Sequence, residues 1–280
     1  MTRLFVFTCA YLCALVSVGQ HTQKLKDLYY KGDYHAVTQI LVDDELLEPE
    51  ALFVIANAFH KLEDFESALM YYELSSDEST ELPDYFLNKA ICEISMGDLV
   101  SAERSLFRFE DVEGQHPMVY YYFGVIDFEV MEYRTALEAV DQALDMNPEY
   151  MEAWYLKGAI MVDLDKYAQA EECFQMAHDL NPTHERTTLN LALAQVYNKS
   201  YDEAFAILND LIESNSELKA EALFYRAEAN FYLHLLDQAC ADWTAAAEMG
   251  DEYAKENLKI VCEKGKAERH KQRKINKITL

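Results

Sequence analysis

Four cysteines beyond residue 19 are the first candidates for chemistry in this sequence. Cys240 and Cys262 lie ten residues before and twelve residues after Gly250, in two segments with helical periodicity. If the two helices run antiparallel, equal travel of roughly 15–18 Å along each brings the thiols level. The pair could then form a disulfide, which would contribute roughly 3 kcal/mol in an oxidising compartment. The alternative is a pair of buried thiols, and the sequence leaves both open. Cys92 and Cys173 stand alone on apolar helical faces, which is typical of small core residues.

The sequence contains no arrangement of residues typical of catalysis or metal binding. Its eight histidines are scattered, without an HExxH motif or a His–Cys group at ligand spacing. Neither a G-x-S-x-G turn nor a phosphate-binding glycine loop is present, and the carboxylates fall mainly on the exteriors of predicted helices. We therefore predict that the protein is not an enzyme and has no metal site and no cofactor.

The chain is strongly acidic, but its charge is unevenly distributed. The formal net charge is −26 and the pI is about 4.5, so the body repels nucleic acid and anionic lipid. Residues 264–280, in contrast, contain seven basic residues and one acidic residue and form a basic tail. Three interpretations of this tail stay open: a disordered solubilising end, a contact to an anionic surface, or a segment that folds back on the acidic body. We expect no nucleic-acid partner, and membrane contact only through the tail.

The first 19 residues have the pattern of a signal peptide. Arg3 precedes an apolar run over residues 4–18, and the small residues Ser17 and Gly19 stand before a cleavage point at Gln20. The run is shorter than the roughly 20 residues that span a bilayer. We expect an exported protein that is periplasmic, outer-membrane-associated or secreted; the alternative is an uncleaved anchor.

Small residues and prolines recur through the chain at intervals of 34 residues. Pro49, Pro83 and Pro117 are 34 residues apart, at boundaries between predicted helix pairs, whereas proline inside a helix costs about 3 kcal/mol. One valine and six alanines follow steps of 31, 34, 34, 34, 34 and 35 residues: Val37, Ala68, Ala102, Ala136, Ala170, Ala204 and Ala239. An irregular helical protein would show a 3.6-residue period without this recurrence. The pattern predicts seven helix hairpins, which must stack because none can bury its apolar face alone.

Residues 148–182 resemble the tetratricopeptide repeat. The signature positions of its 34-residue frame are filled by Trp154, Gly158, Tyr167, Ala170, Phe174, Ala177 and Pro182. The resemblance implies an all-α fold, a right-handed superhelical solenoid of about seven hairpins with a C-terminal capping helix. We expect repeats at approximately 20–48, 49–82, 83–116, 117–150, 151–184, 185–219 and 220–250, and the capping helix at 251–263. The segment from Ala239 to Cys262 also resembles the closing repeat of exported tetratricopeptide proteins from Bacteroidetes bacteria.

The resemblance further implies that the first helix of each hairpin lines a concave, partner-binding surface. The positions that match this surface include Phe53, Asn57, Tyr121, Phe128, Tyr155, Asp163, Tyr197, Phe224 and Phe231, each of which could instead pack between hairpins. A carboxylate clamp of the co-chaperone type is not expected, because Phe53, Met118 and Tyr122 stand where its cations would be. We expect an exported, non-enzymatic scaffold for a protein or peptide segment that is apolar with basic flanks. The alternative is an accessory subunit of an envelope enzyme or uptake complex that handles peptide or glycan.

Overall fold

A computed structural model of the chain describes residues 20–40, 48–76, 84–214 and 216–263, which fold into α-helices without a β-strand. The predicted signal peptide and the basic tail lie outside these residues. The first helix covers 20–30 and is named α1. The remaining helices are α2 (Tyr34–Gln39), α3 (Pro49–Lys61), α4 (Phe65–Ser75), α5 (Tyr85–Ser95), α6 (Leu99–Glu113), α7 (Pro117–Glu129), α8 (Tyr133–Met146), α9 (Met151–Asp163), α10 (Tyr167–Leu180), α11 (Glu185–Asn198), α12 (Tyr201–Glu213), α13 (Lys219–Tyr232), α14 (Leu236–Glu248) and α15 (Glu252–Asn257). None of the described helices combines the length and the apolar character that crossing a membrane requires.

The helices form two compact units. Unit 1 ends at Met131 and contains the hairpins α3–α4 and α5–α6, while unit 2 begins at Glu132 and contains α9–α10, α11–α12 and α13–α14. Within each unit, consecutive helices pack against each other and each hairpin contacts the next. The prediction of an all-α array of repeated helix hairpins is therefore confirmed.

Close helix approach within the hairpins depends on the recurring small residues. Ala68, Ala102, Ala170, Ala204 and Ala239 are all fully buried where the two helices of a hairpin meet. Four residues further on, the same helices carry large buried side chains: Tyr72, Leu106, Phe174, Leu208 and Trp243. In these hairpins a bulky side chain at the contact would force the large residues out of their rotamers, which explains why small residues recur at this position.

Each turn between the two helices of a hairpin contains one residue with positive φ. These residues are Gly32, Glu63, Gly97, Met131, Asp165, Lys199 and His234, and they follow the same steps as the small residues, at position 15 of the frame. At Gly97 (φ 78°), the next amide, Asp98 N–H, donates to the Glu93 carbonyl at 2.9 Å. The Asp98 carboxylate then caps α6 by accepting from Ser101 N–H. The turn conformation thus repeats although its residue type does not.

A second recurrence has a period of two repeats. Position 7 of a first helix faces position 25 of the preceding hairpin, and alternate hairpins place a cation and a hydrogen-bond acceptor there. The pairs are Lys89–Glu73 at 3.9 Å, Lys157–Asp141 at 2.7 Å and Arg226–Asn209 at 2.7 Å. At an intervening interface the equivalent residues are Phe107 and Phe123, with ring centroids 5.0 Å apart.

The C-terminal end of unit 2 is covered by α15 and a following π-helical segment, Leu258–Glu263. The apolar spacing of this region predicts one α-helix, whereas the structure changes to the wider turn after Asn257. Cys262 from this segment forms a disulfide with Cys240 of α14, with Cα atoms 5.9 Å apart. Cys92 and Cys173 are buried free thiols, and burial raises their pKa to about 12 and about 11, respectively. Both are therefore inert core residues.

Candidate partner-binding surface

In unit 1, the first helices α3 and α5 are joined through Asn57. Its Oδ1 accepts hydrogen bonds from Tyr72 O–H at 2.7 Å and from Asn88 Nδ2 at 3.1 Å. Both lone pairs of this oxygen are therefore occupied within the protein. Phe53, one turn earlier, lies against the rings of Tyr72 and Tyr85, with centroids 5.8 and 6.2 Å apart. These two predicted binding residues thus take part in packing between the hairpins.

Next to Phe53, unit 1 has a cleft between α1 and α3. Its lining includes Lys26, Tyr29, Tyr30 and Glu50, and its volume is about 280 Å³. Lys26 Nζ lies 2.6 Å from a Glu50 carboxylate oxygen, so the only cation in the described lining is paired. Tyr30 is 82% exposed at its rim. The cleft therefore offers aromatic surface and little net charge.

Two further predicted residues of unit 1 lie on α7. Tyr121 and Phe128 are both half-buried, and the Tyr121 ring packs edge-on against Tyr122 at 4.9 Å. They contribute aromatic surface to the first helix of this repeat.

In unit 2, polar side chains connect the first helices into one surface, which we call the first-helix face. Its members are Tyr155 on α9, Arg186 and Asn190 on α11, Glu221, Tyr225, Glu228 and Tyr232 on α13, Tyr197 on α11, and Asn257 on α15. Asn190 Nδ2 donates a hydrogen bond to the hydroxyl oxygen of Tyr155 at 2.9 Å, and Arg186 forms an ion pair with Glu221. Asn257 Nδ2 donates to Glu228 Oε1 at 2.9 Å. Side-chain contacts therefore run continuously from α9 to α15.

Tyrosine rings cover one end of the first-helix face. Tyr197 stacks on Tyr167 at 5.0 Å and lies edge-on to Tyr232 at 6.1 Å. Tyr232 is 43% exposed. A hydrogen bond to Asp165, together with burial, raises the pKa of Tyr167 to about 12. The rings consequently remain neutral and form a polarisable surface that is open to solvent at Tyr232.

Three of the residues predicted in unit 2 do not point mainly outward. Phe231 packs against the buried Trp243 ring at 5.7 Å, and Phe224 contacts the same core cluster. Tyr155 lies edge-on to the buried Phe174 at 5.6 Å while its hydroxyl reaches Asn190. Asp163, in contrast, is exposed and accepts a hydrogen bond from Tyr133 O–H at 3.2 Å.

Glu228 is one of the residues of this surface that are not among the nine binding residues named in the sequence analysis. It is half-buried, and burial raises the pKa of its carboxyl group, an effect that the Asn257 hydrogen bond only partly opposes. Among the residues that the structure describes, no Lys, Arg or His side chain forms a salt bridge with Glu228. Glu228 occupies repeat position 9, as does Asn57, so the repeat frame assigns both residues to the partner-facing side of a first helix. In the described part of the chain, no group of His, Cys, Asp and Glu side chains is arranged to hold a metal ion.

Comparison with known proteins agrees with this architecture. Family models of the tetratricopeptide repeat match residues 49–77 and 129–185, so the chain contains tetratricopeptide repeats. No curated protein matches the sequence. The structure of Pseudomonas aeruginosa PilF is similar, with a TM-score of 0.62 and 16% identity over 74% of this chain and 95% of that chain. A tetratricopeptide repeat protein from Parabacteroides merdae gives a TM-score of 0.60 and 18% identity over 87% and 98% of the two chains.

A chain of the APC/C hetero-tetramer Cut9-Hcn1 is also similar, with a TM-score of 0.67 and 16% identity. The match covers 85% of this chain and 48% of that one. At these identities the likeness establishes the fold, a tetratricopeptide solenoid. Tetratricopeptide repeats bind protein or peptide partners.

Proposed function

We propose that this protein is an exported, non-enzymatic scaffold that binds a segment of another protein on its first helices. The observation that carries the proposal is the first-helix face of unit 2. There, tyrosine rings lie close to the carboxylate of Glu228, which has no cationic partner among the described residues. Tyrosine combines a large apolar ring with a hydroxyl group and often supplies much of the binding energy at interfaces.

The partner segment that fits this face is apolar with basic flanks. Apolar side chains would cover the rings of Tyr197 and Tyr232, and Lys or Arg residues would meet the carboxylates of an acidic chain with net charge −26. Charge of this kind mainly accelerates association and selects among partners. An anionic partner would be repelled, which disfavours nucleic acid.

Export is part of the same proposal. It is supported by the signal-peptide pattern of residues 1–19 and by the disulfide between Cys240 and Cys262, since disulfides persist in oxidising compartments. A mature N-terminus at Gln20 and protection of the protein from protease added outside intact cells would place it in the envelope. A cytosolic protein with an intact N-terminus would refute this part of the proposal.

Capture of partners from the envelope fraction tests the binding proposal. The immobilised wild type is compared with Tyr232→Ala, which removes an exposed ring of the first-helix face, and with Met176→Ala as the control. Met176 is exposed to a similar degree, at 42%, but lies on the second helix α10. We expect a protein that is retained by the wild type and the control and lost by Tyr232→Ala, with unchanged thermal stability of the variant. Equal capture by all three proteins would refute the assignment of the surface, and capture of glycan alone would favour an accessory role.

A further inference from the structure

Glu228 lies beside tyrosine side chains from two first helices. On α13, Tyr225 and Tyr232 stand three residues before and four residues after it, which places all three on one side of the helix. Tyr197 of α11 lies against Tyr232 with ring centroids 6.1 Å apart. Asn257 of α15 donates a hydrogen bond to Glu228 Oε1. The carboxylate therefore shares one side of α13 with two tyrosines and is close to a third.

The electrostatics of the side chains agree with this arrangement. Burial raises the pKa of Tyr197 and of Tyr232, and in both cases the negative charge of Glu228 is the next largest cause. A single carboxylate thus acts on the hydroxyl groups of both rings. A charged group held in this way without a counterion is unfavourable.

Other acidic groups of unit 2 are neutralised differently. Asp242 receives two hydrogen bonds from Arg226, at 2.9 and 2.7 Å, and Glu221 is paired with Arg186. Glu228 receives only the neutral amide of Asn257 among the described residues. A cation from another molecule would therefore be stabilised more by Glu228 than by the other acidic groups of this face.

We propose that Glu228, together with the rings of Tyr197 and Tyr232, forms a binding site for an alkylammonium group, which the partner segment presents as a lysine side chain. The inference rests on the proposed function for the source of the lysine. The negative faces of the rings attract a cation, and this attraction is strongest in a partly desolvated site. The carboxylate adds a charge-assisted hydrogen bond.

The geometry favours an ammonium group over a metal ion. Glu228 Oε1 accepts one hydrogen bond, from Asn257, so the carboxylate keeps acceptor lone pairs for a further donor. A compact ammonium group can donate to this carboxylate while its alkyl chain lies against the tyrosine rings. A divalent metal ion would require several oxygen ligands, and the described residues provide no group of carboxylates that could hold one.

Small ions test the site without knowledge of the partner. The mature chain, beginning at Gln20, is labelled at the tyrosine rings and titrated with n-butylammonium, with n-butanol as the neutral control, while NMR shifts are recorded. We expect saturable, millimolar binding of n-butylammonium at the signals of Tyr197 and Tyr232, and none for n-butanol. Binding of both compounds with equal affinity would identify the site as merely apolar and overturn the proposal.

Four variants separate charge, ring and fold. Glu228→Gln keeps the size of the side chain and should weaken n-butylammonium binding about tenfold, because the carboxylate charge is lost. Tyr232→Leu should weaken it severalfold, whereas Tyr232→Phe, which keeps the ring, should bind like the wild type. Glu248→Gln, which alters an exposed carboxylate of α14, is the control and should have no effect. Unchanged binding by Glu228→Gln would overturn the proposal.

The source of the lysine is tested separately. If n-butylammonium binds only after removal of residues 264–280, the basic tail of the chain itself occupies the site, and the assignment to a partner is wrong. If n-butylammonium binds the full chain but no envelope protein is captured, the site stands and the scaffold proposal fails. If a partner is captured equally well by the wild type and Glu228→Gln, the scaffold proposal stands and the lysine site fails.

Discussion

Replacement of Gly158 by alanine should destabilise the protein, although alanine is the better helix former. Gly158 lies in the middle of α9, where Gly→Ala normally stabilises a helix by about 1 kcal/mol. An added Cβ, however, would lie 2.7, 2.8 and 2.9 Å from three ring atoms of Phe174. That ring is only 1% exposed and must withdraw by about 0.7 Å to reach ordinary contact distance.

The two effects can be weighed against each other. Overpacking of a filled core costs about 1–3 kcal/mol, and displacement of Phe174 would also disturb the Tyr155 ring, which lies 5.6 Å from it. Because all three contacts are shorter than 3.0 Å and the ring is buried, the overpacking cost falls in the upper part of this range, about 2–3 kcal/mol. After the helix-propensity gain of about 1 kcal/mol is subtracted, the net loss is about 1–2 kcal/mol. For a chain of this size each kcal/mol lowers Tm by roughly 2–4 °C, so thermal unfolding followed by circular dichroism resolves the change.

Internal repeats supply the controls. Two hairpins combine alanine with leucine at the equivalent positions, Ala90 with Leu106 and Ala192 with Leu208, and all four residues are buried. The double variant Gly158→Ala/Phe174→Leu reproduces this pair, so its Tm should exceed the value expected if the two single changes were additive. A Tm of Gly158→Ala equal to or above that of the wild type would refute the reasoning.

Three further predictions concern the cap, the ion pairs and the turns. A chain that begins at Gln20, denatured without reductant, should show two reactive thiols and four after reduction, because Cys240 and Cys262 are bridged; four thiols at the outset would contradict the disulfide. Arg226→Met leaves a buried carboxylate unpaired and should cost about 3 kcal/mol, whereas Lys157→Met, at the same repeat position but facing a half-exposed carboxylate, should cost under about 1 kcal/mol by thermal unfolding. Met131→Gly should raise stability by about 1 kcal/mol, since Met131 is exposed and has φ 62°; a lower Tm would show that this side chain contributes to packing.

The hairpin array could be predicted because its requirements restrict residue size. The contact between the helices of a hairpin accepts only small side chains, such as Ala102, Ala170 or Val37, so the repeat is visible as a recurrence of small residues. Proline likewise indicates where a helix begins: Pro49 is the first residue of α3 and Pro117 the first residue of α7. The turns are less visible, because a left-handed conformation is tolerated by residues such as Lys199 at a modest cost.

The candidate surface was predictable only in part, because a repeat position specifies a helix face but not the direction of each ring. Tyr197 lies among the tyrosines of the first-helix face as expected, while Phe224 and Phe231 turn toward the core around Trp243. The environment of Glu228 depends on Asn257 from a different helix, and the sequence gives no spacing rule for that contact.

The alternation of polar and apolar contacts between hairpins disfavours stacking of a repeat on the wrong neighbour. Glu73 faces Lys89 in the correct order, but it would face Phe123 if the fourth repeat stacked directly on the second. Such an arrangement would leave Glu73 without its cation and place Phe123 against a charge instead of against Phe107. Stacking errors between similar repeats are a characteristic failure of repeat proteins, and mismatched pairs oppose them. The proposed site combines Glu228 on α13 with Tyr197 on α11. It depends on correct stacking, because these side chains meet only when each hairpin has its correct neighbour.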